Sequence, residues 1–411
     1  MVEVAPFKAI RYNLAKLPNL SNVICPPYDV ISVPEYHRLL AGHPKNIVRI
    51  ELPLAQGRMD KYEVAGQFWK QWQNQRILVR EKEPSFYGYE ERFSVSGQPF
   101  FRRGFFAALR VEPPGQGRIR PHERTFPKHK EDRLHLMRAT HANISPIFGI
   151  FFDRQGNAQA LIERRLGEKP LVVCRDDKGV THRLWKWSDP ETIQTLKKVV
   201  ASGDVLIADG HHRYETAWNY GRERLGQDRA KSTSTRAYRY VLTFLCPLSD
   251  PGLVIQPTHR AVRWDAPLKE WQERIEPLFT MKRMSGLSTL LTRLRKKNEH
   301  SGMGFILEGG HLFWLTPRAK EPPMPVVSLH AGILKDVPLE NISYDQDARD
   351  MVLNLQRGEC NAVFLLPPPG KEAFAAVCRA GRLLPQKSTY FYPKVTTGLV
   401  MRSLDGDVSD L

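Results

Sequence analysis

Apolar and polar positions along the chain follow two periods. Over 62–75, Val64, Phe68 and Trp72 stand four apart, a spacing that predicts a helix with one buried face. Over 46–52 (NIVRIEL), apolar and polar residues alternate, which predicts a half-buried strand. Further strands are predicted over 86–95, 104–111, 171–174 and 240–245, with a turn leading into an apolar strand over 143–152. A helix is predicted over 190–201. A buried strand over 205–208 passes through Asp209-Gly210 into a long helical pattern over 211–226, and 247–257 reads as a loop. Beyond Trp264, helices are predicted over 267–279 and 287–297, and a hairpin over 303–307 and 312–315 that turns through Glu308-Gly309-Gly310-His311. The pattern closes with a connector over 318–325, a helix over 345–357, a strand over 362–366, a helix over 371–380 and a final strand over 398–404. No repeat of fixed period is present, which excludes a solenoid or propeller. The mixture of short strands and helices defines an α+β (mixed α/β) chain.

At 411 residues the chain is long enough for two or three domains, and 41% hydrophobic with 26% charged residues is the balance of a globular protein. The charge changes that picture. Lys and Arg exceed Asp and Glu by 61 to 44, a net +17 that predicts attraction to polyanions. Between Arg102 and Arg138 the surplus is concentrated, with ten basic residues against four acidic ones. Cys25, Cys174, Cys246, Cys360 and Cys378 form no C-x-x-C pair, so buried thiols of a reducing compartment are expected rather than a zinc or redox centre. The N-terminus has no apolar core of a signal peptide, and no apolar run approaches the roughly 20 residues of a membrane span, so a cytoplasmic protein with no membrane partner is expected.

Three segments carry candidate chemistry. In VLIADGHHRYETA (205–217) a buried strand meets a tight Asp-Gly turn and a helix start, where main-chain amides and the macrodipole favour anions. Gly210 permits close approach, and His211, His212 and Arg213 add donors, which suits a phosphate; the plain alternative is Asp209 capping its own helix. His211 and His212 point about 100° apart on a helix and are poorly placed to share a metal ion. In PHERTFPKHKEDR (121–133), Pro121 and Pro127 keep the segment out of regular helix, and Glu123 stands between His122 and Arg124. An ionised carboxylate there fits a base accepting a hydroxyl proton, and fits a solvated basic loop equally well. In LPQKSTYFYPK (384–394), a lysine and two hydroxyls in a Pro-bounded turn can hold a phosphate or carboxylate, while Tyr390, Phe391 and Tyr392 pack the loop.

As a set, Pro121-His122-Glu123, Asp209–Arg213 and Gln386-Lys387-Ser388-Thr389 resemble the ordered motifs of the free-serine kinases of the ParB/sulfiredoxin superfamily. With PPYDVI (26–31), PHERT, ADGHHRYETA and PQKSTYFYPK, the whole chain looks like the family named domain of unknown function 1015. That resemblance implies a ParB/sulfiredoxin-like nucleotide-binding domain over 109–265, a C-terminal α/β substrate-binding domain over 266–411 and an N-terminal α+β extension over 1–108. It implies a kinase that phosphorylates an amino-acid hydroxyl, free L-serine first, with ATP or ADP as donor and Mg2+ carried by the phosphates and by Asp209. Glu123 would be the base and Asp209 would orient the hydroxyl or the magnesium-bound phosphate. Gly210, His211, His212, Arg213 and His122 would hold phosphate, and Lys387, Ser388 and Thr389 the substrate. Where the kinases carry a second acidic residue, Glu131 and Asp132 are nearest. The competing classes are a ParB-like nucleotide-dependent nucleic-acid-binding protein, for which no helix-turn-helix or RNA-binding signature is present, and a phosphoserine phosphohydrolase or sensor.

Overall fold

A computed structural model of the chain describes residues 1–123, 127–228, 235–295 and 302–407, with the side chains of 127–129 excepted. It divides into two compact units: Met1–Leu253 with Pro393–Leu411, and Val254–Tyr392. The sequence reading divides the chain into three domains. The strand Gln98–Arg110 runs across the boundary predicted at 108, and strands before that boundary share a sheet with strands beyond it.

The first unit is built on a mixed sheet of nine strands among the described residues. Its order is Ile119–Arg120, Val205–Asp209, Ile147–Phe151, Tyr240–Pro247, Gln98–Arg110, Tyr87–Val95, Thr181–Leu184 and Val172–Arg175, with Val4–Ala5 also pairing to Gln98–Arg110. Val205–Asp209 is antiparallel to Ile147–Phe151, and the register slips between Ile207 and Asp209. Such a bulge re-aims the side chains at the end of a strand, here Asp209. Helices Asn157–Leu166, Pro190–Ser202 and His211–Gln227 bring Leu161, Ile162, Leu196, Val200, Tyr214 and Ala217 onto the buried core of Phe86, Phe105, Ile147, Phe151, Trp185 and Val205. The helix Lys61–Asn74 starts at a capping box of Asp60 and Glu63 and buries Val64, Trp69 and Trp72.

The second unit holds a six-stranded antiparallel sheet in the order Phe279–Arg283, His311–Pro317, Met303–Leu307, Ala362–Leu365, His259–Val262 and Ile342–Asp345. Both faces are covered, and the period-2 alternation shows it. Phe305, Phe364 and Val262 enter one core with Trp271, whereas Ile306, Val363 and Ala261 enter the other with Leu290 and Trp314.

Several predicted elements differ from those observed. Residues 46–52 contain a short helix, Val48–Glu51, because Asn46 Oδ1 accepts the Val48 amide and Ile47, Val48, Ile50 and Glu51 are all buried; only Arg49 and Leu52 keep partial exposure, so the segment is largely enclosed and lacks the alternating solvent face of a half-buried strand. Pro127 opens the helix Pro127–Thr140 rather than preventing one, since its missing N–H has no helical partner at that position anyway. The loop predicted over 247–257 contains the strand Val254–Gln256, which pairs with Tyr390–Tyr392. The helix predicted over 267–279 ends at Ile275, and Phe279 begins the next strand. Of the strand predicted over 398–404 only Arg402–Ser403 forms, against Ala142–Asn143. Arg124, beside Glu123 in the chain, and the end of the helix predicted over 287–297 lie outside the described residues.

Candidate active site

The turn between Val205–Asp209 and His211–Gln227 is built on Gly210, whose φ of +89° lies in the left-handed region. A Cβ there would stand 2.9 Å from Ile147 Cγ2 and 3.2 Å from Arg213 Cζ. We expect Gly210→Ala to destabilise the first unit by roughly 2–4 kcal/mol, from backbone strain and overpacking together. Urea unfolding checks this, and a loss of under about 0.5 kcal/mol would mean the turn relaxes freely.

Gly210, at the N-cap position, has no side chain with which to cap this helix. Asp209 does not fold back onto the first amides as a conventional cap would; its carboxylate accepts from Arg213 Nη2 at 2.6 Å and from Lys394 Nζ. Burial by itself would raise the Asp209 carboxyl, but Lys394 and Arg213 overcome that and hold it well below the usual carboxylate range. Arg213 is buried, and its Nη1 donates to the Pro146 carbonyl. Its guanidinium therefore braces the turn from inside, rather than lying open as the fork expected for phosphate. The PPYDVI loop reaches the same place, where the Arg213 guanidinium feels Asp29 and Tyr28, and the Tyr28 ring lies under Arg133 at 4.1 Å. Beside Arg213 a cavity of about 30 Å³ is lined by Glu51, Arg133, Asn143 and Ser145, with the Ser145 hydroxyl donating to Glu51.

His122 joins the second motif to the first. Its main-chain N–H donates to His211 Nε2 at 3.2 Å, and the two rings meet edge to face with centroids 4.5 Å apart. His122 is fully buried, and its Nδ1 lies 2.7 Å from the Ile207 carbonyl. A carbonyl only accepts, which places the proton on Nδ1 and a lone pair on Nε2. That Nε2 faces Glu123 Oε1 at 3.8 Å. The two acceptors converge, so one hydroxyl donor could reach both. Burial lowers His122 to about 4, with Lys394 acting in the same direction, and burial and His122 push His211 well below its ordinary value. Both imidazoles are thus neutral at neutral pH, and neither supplies the cationic charge that a run of His-His-Arg suggests. His212 is half-buried at the next helical position.

This state has a measurable consequence. A buried histidine with a depressed pKa takes up its proton on unfolding, so stability is complete above about 6.5 and falls as the pH drops toward about 4. We expect the His122 ring, followed by ¹⁵N NMR, to remain neutral with its proton on Nδ1 down to about pH 4, while the urea midpoint declines between pH 6.5 and 4. A ring titrating near 6.5 would contradict the burial described here.

The nearest acidic residues after Glu123 separate clearly. Glu131 is exposed beside His135, whereas Asp132 accepts from Lys61 Nζ at 2.6 Å, Tyr62 Oη at 2.8 Å and the Arg133 guanidinium. Lys387, Ser388 and Thr389 belong to the second unit. Lys387 is exposed in left-handed conformation at φ +55°, and the carbonyls of Gln386 and Lys387 accept from Arg260 Nη2. Ser388 and Thr389 are buried, and the Ser388 hydroxyl donates to the Pro385 carbonyl within the turn. Lys394, at the end of the same motif, belongs to the first unit and was not among the residues given a role from sequence. Its partner lies 185 positions away, and no local spacing marks the pair.

The five cysteines are buried thiols, raised by burial to about 12 at Cys174 and Cys378 and about 11 at Cys360. Among the described residues, no helix is long and apolar enough to cross a membrane.

One strand-to-helix turn of this mixed α/β unit thus gathers an aspartate, two cations and two neutral imidazoles. The family described as Protein of unknown function (DUF1015) matches residues 4–337, and the chain belongs to that family. No curated protein matches it. Among solved structures it is similar to a conserved hypothetical protein from Pyrococcus furiosus, with 13% identity, 72% of this chain and 94% of that one covered and a TM-score of 0.37. It is also similar to a free serine kinase in complex with AMP, with 12% identity, 70% and 88% covered and a TM-score of 0.39. A third is SbnI with C-terminal truncation from Staphylococcus aureus, with 11% identity, 74% and 88% covered and a TM-score of 0.40. All three likenesses are remote.

Proposed function

We propose that this protein is a nucleotide-dependent phosphotransferase that takes ATP or ADP as donor and the hydroxyl of a small amino-acid-like molecule, free L-serine first, as acceptor. One observation carries the reading: in a single compact unit, Glu123 lies against the neutral His122, which bonds to His211 at a helix start without a side-chain cap, where Lys394 and Arg213 hold Asp209. That is a carboxylate base, an anion-facing helix terminus and a lysine in one place.

In this reaction the acceptor oxygen attacks the terminal phosphorus, and its proton passes to the Glu123 carboxylate. The bond from phosphorus to the bridging oxygen breaks, and its electron pair leaves on the nucleotide. Such a transfer needs positioning and charge stabilisation more than covalent chemistry, which fits these residues. Gly210 and the first turn with His211 and His212 receive the phosphates; Arg213 acts through Asp209.

The residues do not form a cage for Mg2+. Among the described residues no three His, Cys, Asp or Glu side chains are grouped to hold a metal ion, and both Asp209 oxygens already accept from cations. Mg2+ enters this reading only as the counter-ion of the donor.

The test is to incubate the purified protein with Mg2+, ATP or ADP and a panel of hydroxyl compounds, and to follow new phosphomonoesters by ³¹P NMR. O-phosphoserine from L-serine is expected, and no product from any acceptor would sink the proposal. The net charge of +17 favours one other reading, a nucleotide-dependent nucleic-acid-binding protein. Strongly salt-dependent binding of duplex DNA without turnover would decide for it.

A further inference from the structure

We infer that Lys394 is the cation that meets the transferred phosphoryl group, and that Arg102 holds it there through the carbonyl of Pro393. The inference rests on the phosphotransfer reading and extends it to two residues.

Of the two cations on Asp209, only one is suited to a ligand. Arg213 spans Asp209 and the Pro146 carbonyl and is 7% exposed. Lys394 brings an ammonium, whose three donors let it bond Asp209 and a phosphate oxygen together. Its position is central, because its charge bears on Asp209, His122 and His211 alike. Asp209 thus has a physical purpose at the end of a bulged strand: it aims a flexible lysine toward the helix start beside Glu123.

The main chain beneath Lys394 is held as well. Arg102 is fully buried and donates from Nε to Glu91 at 2.6 Å and from Nη2 to the Pro393 carbonyl at 2.6 Å, with its guanidinium over the Phe148 ring at 4.8 Å. The peptide from Pro393 to Lys394 is planar, so fixing that carbonyl fixes the plane from which Lys394 departs. A buried ion pair is weak evidence of a contribution to stability. Here it grips the chain where it re-enters the first unit, at Pro393. Arg102 is a positioning residue, since an error of about 1 Å at a reacting centre can cost about 10²-fold in rate.

The experiment uses the full chain and the affinity series ADP, AMP and adenosine, with inorganic pyrophosphate as a nucleotide-free probe. The wild type should prefer ADP over AMP. Lys394→Met should lose about tenfold or more of that preference while adenosine affinity stays unchanged, and Lys394→Arg should recover part of it. Because Lys394→Met leaves the Asp209 carboxylate facing the phosphate with one cation fewer, the paired variant Asp209→Asn/Lys394→Met removes that negative charge as well. It leaves Arg213 without its carboxylate and should unfold at lower urea than the wild type, yet, measured where it is folded, it should still lack the preference; recovery in the pair would mean that Lys394 only neutralises Asp209, and would overturn the assignment. Glu91→Met/Arg102→Met should keep the wild-type unfolding midpoint yet lose the preference for ADP, and unchanged discrimination there would overturn the role of Arg102. If Lys394→Met binds ADP as the wild type does, the assignment fails and the nucleotide reading stands. If pyrophosphate binds through Lys394 and ADP does not bind, the nucleotide reading fails and the phosphate contact stands.

Discussion

Single-turnover phosphoryl transfer to serine by Glu123→Gln should fall about 10²–10⁴-fold, the usual cost of removing a general base. Glutamine keeps the shape of the side chain and loses only proton acceptance. Nucleotide affinity should hold or rise slightly, since a carboxylate near the phosphates is gone. The structure selects the right control. Glu131 is exposed beside His135, and Glu131→Gln should behave as wild type. Asp132, the other acidic residue that follows Glu123, cannot serve. Its carboxylate joins Lys61, Tyr62 and Arg133, and although burial opposes this, Arg133 and Lys61 hold it well below its ordinary pKa. Asp132→Asn should therefore loosen Arg133 over Tyr28 and lower stability. Wild-type rates in Glu123→Gln would end the assignment of that residue as base.

The largest expected effect on stability is at Asp209. Asp209→Ala removes the one carboxylate that Lys394 and Arg213 share, leaving two cations close together in a buried place. Breaking a buried pair from one side costs about 3–5 kcal/mol, because the uncompensated charge remains. Urea unfolding of the first unit at pH 7 should show a loss of that size. The sign with pH follows from the lowered carboxyl. The contribution is complete above the unfolded carboxylate value near 3.9 and is lost as the pH falls below it, so the variant and the wild type should converge in strong acid. A loss of about 1 kcal/mol or less would show that water reaches the cluster and screens it.

Local order was legible in the sequence wherever the physical cause is local. Val64, Phe68 and Trp72 marked the helix Lys61–Asn74 because a 3.6-residue period has to bury one face. Asp209-Gly210 marked a sharp turn between a strand and a helix, since few other pairs accept a positive φ there. The hairpin of Met303–Leu307 and His311–Pro317 announced itself through Gly309 and Gly310, both at positive φ. Residues 46–52 misled for a definite reason: alternation signals a strand only when one face meets water, and Val48–Glu51 is largely enclosed.

Partnership was decided by the tertiary structure alone. Sequence could group His122-Glu123 with Asp209–Arg213 by resemblance, yet only the fold turns Arg213 inward to Pro146, makes both imidazoles neutral by burial and divides one motif so that Lys387 lies in the second unit and Lys394 in the first. The reason is the difference between short-range and long-range physics. Turn chemistry and hydrophobic period are properties of a few neighbouring residues. The charge state of a side chain, and the choice of lysine for Asp209, depend on what a sheet brings together from 185 positions away.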